Sequence, residues 1–125
     1  MGTSAKITVK GVDKVCIYFH YDGYESHTGF FLASLAIDFV KNRGDDENYF
    51  FAQILRQSMI FDMMYENSHK EDLHAVMHDM SRKFTSYGVF NSDEIDANCD
   101  YEIDLSSKTI NGHDFEEFKT KCKGE

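Results

Sequence analysis

Apolar residues in the first twenty positions recur with a period of two. Ile7 and Val9 alternate with Lys6, Thr8 and Lys10, and after Gly11-Val12-Asp13 the pattern restarts with Val15, Ile17 and Phe19 on one face and Cys16, Tyr18 and His20 on the other. That period is the signature of a strand with one buried face, and two such runs around a glycine-containing turn predict a β-hairpin. Asp22-Gly23 closes the second strand, since Asp bonds the local backbone and Gly accepts a positive φ.

The pattern then becomes helical. A helix is expected from Ser26 or Thr28, either of which can cap it, to about Asn42, with Gly44 as its stop. Its apolar residues surround most of its circumference, which predicts a buried central element. Asp45-Asp46-Glu47-Asn48 supplies carboxylates to the positive end of a second helix, Tyr49 to about Glu66, again apolar on most sides. Ser68-His69-Lys70-Glu71 has the spacing of a capping box. A third helix follows it, with Leu73, Val76, Met77, Met80, Phe84 and Tyr87 on one stripe and Gly88 closing it. The acidic stretch Asn91 to Asn98 reads as irregular. Alternation returns at the end: Cys99, Tyr101, Ile103 and Leu105 interleave with Asp100, Glu102 and Asp104, a half-buried strand with an acidic outer face. Ser106-Ser107-Lys108 is a turn, Thr109-Ile110 a short return strand, and Asp114-Phe115-Glu116-Glu117 opens a last helix whose stripe continues through Phe118 and Cys122. No internal repeat is present. Strands at both ends with helices between predict one α+β domain over 1–125, a small antiparallel sheet from the N- and C-terminal strands packed on three central helices.

Composition agrees with a folded chain. The 125 residues suit one domain, and 42% hydrophobic with 28% charged residues exclude a disordered polymer. Net charge is −9, which disfavours direct contact with nucleic-acid phosphates and leaves a basic protein partner or plain solubility. Cys16, Cys99 and Cys122 are widely spaced, with no C-x-x-C, so reduced thiols in a cytoplasmic setting are expected. The longest apolar run, Gly29 to Val40, is broken by Ser34 and Asp38 and is too short for a bilayer, so no membrane role is expected.

His20-Tyr21-Asp22-Gly23-Tyr24 resembles the H-W-D-G-Y-P motif of small phage- and prophage-encoded proteins, mostly of unassigned function, in which the motif also follows a short strand and precedes a helix. Tyr21 stands where Trp is usual and Glu25 where Pro is usual. Tyr101-Glu102-Ile103-Asp104-Leu105 is similar to the C-terminal strand of those proteins. The two segments cover about a fifth of the chain. The resemblance implies a viral origin and a host-cytoplasm setting, and carries no reaction with it.

Two readings of the central motif compete. His20, Asp22, Tyr24 and His27 could converge as a catalytic cluster, a carboxylate orienting an imidazole and a phenol donating to a developing anion, as in a small hydrolase or nucleotide-processing enzyme. Turn chemistry explains the same residue types without a substrate, and no nucleophile–base spacing, Walker loop, G-x-S-x-G or dinucleotide fingerprint accompanies them. On the third helix His74 and His78 share a face one turn apart. They lack H-E-x-x-H and a third ligand, and boundary histidines usually serve packing. Asp96-Ala97-Asn98-Cys99-Asp100 echoes the opening of a calcium loop, but Tyr101 stands where Gly is required and Ser107 where Glu is required. No cofactor is expected.

The largest asymmetry is acidic. Between Asn91 and Leu105 stand Asp93, Glu94, Asp96, Asp100, Glu102 and Asp104 with no Lys or Arg, which is −6 of the total −9. A solvated strand face is the common explanation; an interface for a basic groove is the functional one. Alternate residues on a strand are ~6.7 Å apart, about half the charge density of one DNA strand. A mimic of nucleic acid would therefore need a second acidic row, which Asp45, Asp46, Glu47, Glu116 or Glu117 would have to add. Motif and asymmetry together lead to an expected function: a phage-encoded, acidic protein-binding module that inhibits a host protein with a basic surface, anti-CRISPR-like in class. The small hydrolase is the alternative.

Overall fold

The structure, a computed structural model, describes residues 3–66 and 87–123, with side chains described over 3–60 and 87–123. It is an α+β fold with one six-stranded mixed sheet. The strands are β1 Ala5–Val9, β2 Val15–Phe19, β3 Tyr87–Asn91, β4 Cys99–Asp104, β5 Thr109–Ile110 and β6 His113–Asp114, in spatial order β3-β2-β1-β4-β5-β6. The helices among the described residues are α1 Phe30–Arg43, α2 Glu47–Glu66 and α3 Phe115–Lys123.

The N-terminal hairpin forms as its alternation predicts, with Ala5 opposite Phe19 and Ile7 opposite Ile17. Ala5, Ile7, Val9, Ile17 and Phe19 line one face of the sheet. Tyr101, Ile103, Leu105 and Ile110 continue that face, and Leu32, Ala33, Ala36 and Phe39 of α1, Phe50 and Ile54 of α2, and Phe115, Phe118 and Cys122 of α3 cover it. Burying each large apolar side chain here contributes about 1.5–3 kcal/mol against the entropy of ordering it.

Three expectations change. The sheet is not wholly antiparallel, because β1 and β4 run parallel, Ala5 beside Cys99 and Val9 beside Ile103. Nor does it come only from the two ends of the chain: β3 inserts an interior segment at the edge beside β2. Tyr87 and Gly88, expected to finish a helix, lie in β3. The Tyr87 ring sits edge-on to its cross-strand partner Phe19 at 5.0 Å. Gly88 leaves room for the Phe90 ring, which a Cβ there would meet at 2.7 Å. That glycine makes room for a ring two residues further along its own strand, a use that sequence alone does not distinguish from a helix stop. Of the described helices only α1 and α2 are central, and α3 is C-terminal. The Ser68-Glu71 capping box, the third central helix and the pair His74 and His78 lie outside the described residues.

The start of the first helix also differs. Glu25–Gly29 form a π-helical turn in which the Phe30 N–H reaches back to the Glu25 carbonyl, and no side chain caps it. Ser26 and Thr28 are not caps. The Thr28 hydroxyl instead donates to the Asp22 carbonyl at 2.6 Å, tying the turn to the strand end before it. At the other end Gly44 stops α1 as expected, its N–H donating to Val40. The Asp114 carboxylate accepts the Glu116 N–H at 3.1 Å and so caps α3.

A candidate protein-binding face

Alternation that buries one face of the sheet turns a second set of residues to the opposite side. Lys6 and Thr8 of β1 stand on that side, with Lys6 between Tyr18 of β2 and Asp100 of β4, and Thr8 beside Glu102. Cys16 lies opposite Phe90. No helix among those above belongs to this side.

A loop crosses it instead. β3 is antiparallel to β2, β2 to β1, and β1 is parallel to β4, so β3 and β4 are parallel strands separated by two others. Residues 92–98 must therefore return along the full sheet to start β4. At one end the Ser92 N–H donates to the Lys14 carbonyl, and the Lys6 ammonium donates to the Ser92 carbonyl at 2.6 Å. At the other end Ser4 and Asn98 bond three times: the Ser4 N–H donates to Asn98 Oδ1 and the Asn98 N–H to Ser4 Oγ, both at 3.0 Å, and the Ser4 hydroxyl donates to Asn98 Oδ1 at 3.1 Å. Cys16 is fully buried on this side. Burial pushes its thiol above the ordinary value, against the opposing pull of Lys6. Such a thiol is protonated and packs as a small apolar group.

The crossing gathers the acids. Asp93, Glu94 and Asp96 are exposed on the loop, and Asp100 and Glu102 are exposed on β4. Asp104 is of a different kind. Its carboxylate accepts the Ser107 N–H at 3.1 Å and the Ser107 hydroxyl at 3.0 Å, and lies 3.6 Å from the Lys10 ammonium. The backbone hydrogen bond from Ser107, with smaller help from its hydroxyl and Lys10, holds the carboxyl below its ordinary range. Asp104 is committed to the turn, which leaves five acids facing solvent. The crossing loop adds three exposed acids to Asp100 and Glu102 of β4. Its signal was present in the sequence, but only as charge without register.

Next to the acids runs a file of rings. Phe90 is edge-on to Tyr18 at 5.6 Å, Tyr18 is 6.1 Å from His20, and His20 is edge-on to Tyr21 at 4.5 Å. Tyr21 is 52% and Phe90 41% exposed. Phe90 and Tyr18 carry no sequence motif. The β-forming run Val89-Phe90 was the available hint.

The four residues of the enzymatic reading divide into two groups. His20 belongs to the ring file, while the Tyr24 ring packs 5.9 Å from His27. All four of His20, Asp22, Tyr24 and His27 are exposed, and among the described residues no hydrogen bond joins any two of their side chains. Between the groups the backbone is held rigidly. The Gly23 N–H donates to the Thr3 carbonyl at 2.7 Å, and the buried Tyr101 hydroxyl donates to the Gly23 carbonyl at 2.6 Å. Asp22, not Gly23, takes the positive φ, at 60°. Gly23 is needed for another reason, because a Cβ there would stand 2.5 Å from the Ser4 backbone.

Among the described residues no three His, Cys, Asp or Glu side chains form a group that could hold a metal ion, and no helix is long and apolar enough to cross a membrane. No protein-family model, curated protein or solved structure matches the chain.

Proposed function

We propose that this protein is a non-enzymatic binding module that captures a basic protein surface on the side of its sheet opposite α1, α2 and α3 and inhibits the partner by occupying it. The observation that carries this reading is the placement of five exposed acids on one side by the 92–98 crossing, next to the exposed ring file. Carboxylates of one sign steer a basic partner and set its orientation. Exposed aromatic rings supply the apolar anchors that dominate protein interfaces. The same charge repels nucleic acid, so the partner is a protein. In the phage setting that the His20–Tyr24 motif implies, the partner is a host protein in the host cytoplasm, of the class that holds nucleic acid in a basic groove. The module then acts as an anti-CRISPR-like inhibitor of a defence effector. The binding reading is preferred over the hydrolase because His20 and His27 lie in separate ring contacts while Gly23 between them is fixed by backbone bonds.

The test is capture from host lysate on immobilised wild type and on Asp100→Asn/Glu102→Gln, eluted by salt. A protein retained by the wild type and lost by the variant supports the reading. Identical captured sets on both would remove the acidic side from the function.

A further inference from the structure

The core side of the sheet carries a feature of opposite chemistry. The chain has three arginines, and two of them, Arg43 and Arg56, line a single groove of about 320 Å³ with Phe39, Tyr49, Ala52 and Gln53. The groove lies between the C-terminal end of α1 and the first half of α2. Tyr49, Ala52, Gln53 and Arg56 recur at helical spacing and so share one face of α2. That volume falls in the range of small-molecule sites.

Both guanidinium groups are held by one edge. Arg43 Nε donates to Asp46 Oδ2 at 3.1 Å, and its central carbon lies 4.0 Å over the Tyr49 ring. Arg56 Nε donates to Gln53 Oε1 at 2.8 Å. An arginine bound through Nε to a neighbour keeps its plane fixed and its terminal Nη groups available, and among the described residues the Nη groups of Arg43 and Arg56 make no hydrogen bond. Asp46 offsets one of the two charges, so the groove remains cationic in a protein of net charge −9.

We infer that this groove binds a small phosphomonoester, its phosphoryl oxygens held by the Nη groups of Arg43 and Arg56 and its apolar body against Tyr49, Ala52 and Phe39. Two separate guanidinium forks suit an anion with three terminal oxygens better than a carboxylate, which a single fork satisfies. The apolar wall predicts that an aromatic ester binds more tightly than the bare ion. The inference is independent of the acidic side, which is built from the other face of the sheet.

The test is a titration of isotope-labelled full-length protein with inorganic phosphate, phenyl phosphate and benzoate, followed through backbone amides and arginine Nε–H signals by NMR. Saturable shifts at Arg43, Arg56, Tyr49 and Ala52 are expected, with phenyl phosphate binding more tightly than phosphate and benzoate weakest. Arg56 is exposed, so Arg56→Gln should fold normally and weaken phenyl phosphate about tenfold or more, the loss of a charge-assisted contact. Arg43→Gln should do the same, with unchanged amide positions in the sheet as the folding control. Non-saturating shifts, equal response to benzoate, or equal affinity in Arg56→Gln would each overturn the inference.

Discussion

The Tyr101 hydroxyl donates to the Gly23 carbonyl at 2.6 Å across 78 residues of sequence. It joins the centre of the acidic strand β4 to the turn that carries the His20–Tyr24 motif, so the two segments that most define the sequence are one structural unit.

Removing that bond should be measurable. Tyr101→Phe keeps the ring and its packing against Phe118 and deletes only the donor, so a loss of about 1–2 kcal/mol is expected from urea denaturation. The substitution should also change the alkaline limb. Burial pushes the Tyr101 phenol far above its ordinary value. In the unfolded chain it ionises near pH ~10. The unfolded state thus sheds a proton that the folded state keeps, and stability contributed by Tyr101 falls as pH rises above that value. Wild type should lose stability above that pH more steeply than Tyr101→Phe; parallel curves would show that this phenol is not the group responsible.

Swapping the turn residues separates φ from close approach. Gly23→Ala drives a Cβ into the Ser4 backbone and should cost about 1–3 kcal/mol or more. Asp22→Gly removes a left-handed non-glycine residue and should be neutral or stabilising by up to ~1 kcal/mol. Thermal melts decide it, and the reverse order of the two variants would place the strain at Gly23.

Acid should expose the role of Asp104. Its carboxyl is held below the ordinary range by Ser107 and Lys10, so the unfolded state takes up the proton first as pH falls. The stability it contributes is present above pH ~4 and disappears as pH drops through the folded value. Asp104→Asn should flatten the acid limb of a stability–pH profile while leaving the profile near neutrality of the same shape. An unaltered acid limb would assign the dependence to other carboxyls.

The strands with one wet face were legible because period-two alternation fixes which residues go inward. Ile7, Val9, Ile17, Phe19, Tyr101 and Ile103 all took the predicted side. What the sequence did not reveal was set by neighbours distant in the chain. Parallel pairing of Ala5 with Cys99 has no local signature. Gly23 is explained by Ser4, a contact that exists only once the sheet is assembled. Thr28 looked like a cap because its hydroxyl can satisfy a helix N–H, yet the Asp22 carbonyl claimed it. For the candidate face, the acids were visible as composition, while their shared side depended on the route of residues 92–98. The rings of Tyr18 and Phe90 came together only through the β2–β3 register.

The central claim is that the side of the sheet opposite α1, α2 and α3 is a binding surface whose acids act through long-range attraction. It is tested most directly by titrating the captured host protein against wild type and Asp93→Asn/Asp100→Asn/Glu102→Gln at two salt concentrations. All three residues are exposed and none holds the turn that Asp104 holds, so the variant should melt with the wild type. Binding at low salt should weaken roughly 10–100-fold, and the salt dependence should flatten because fewer screened charges remain. Equal affinities at low salt, with equal slopes, would contradict the account and leave these carboxylates as a solvated surface.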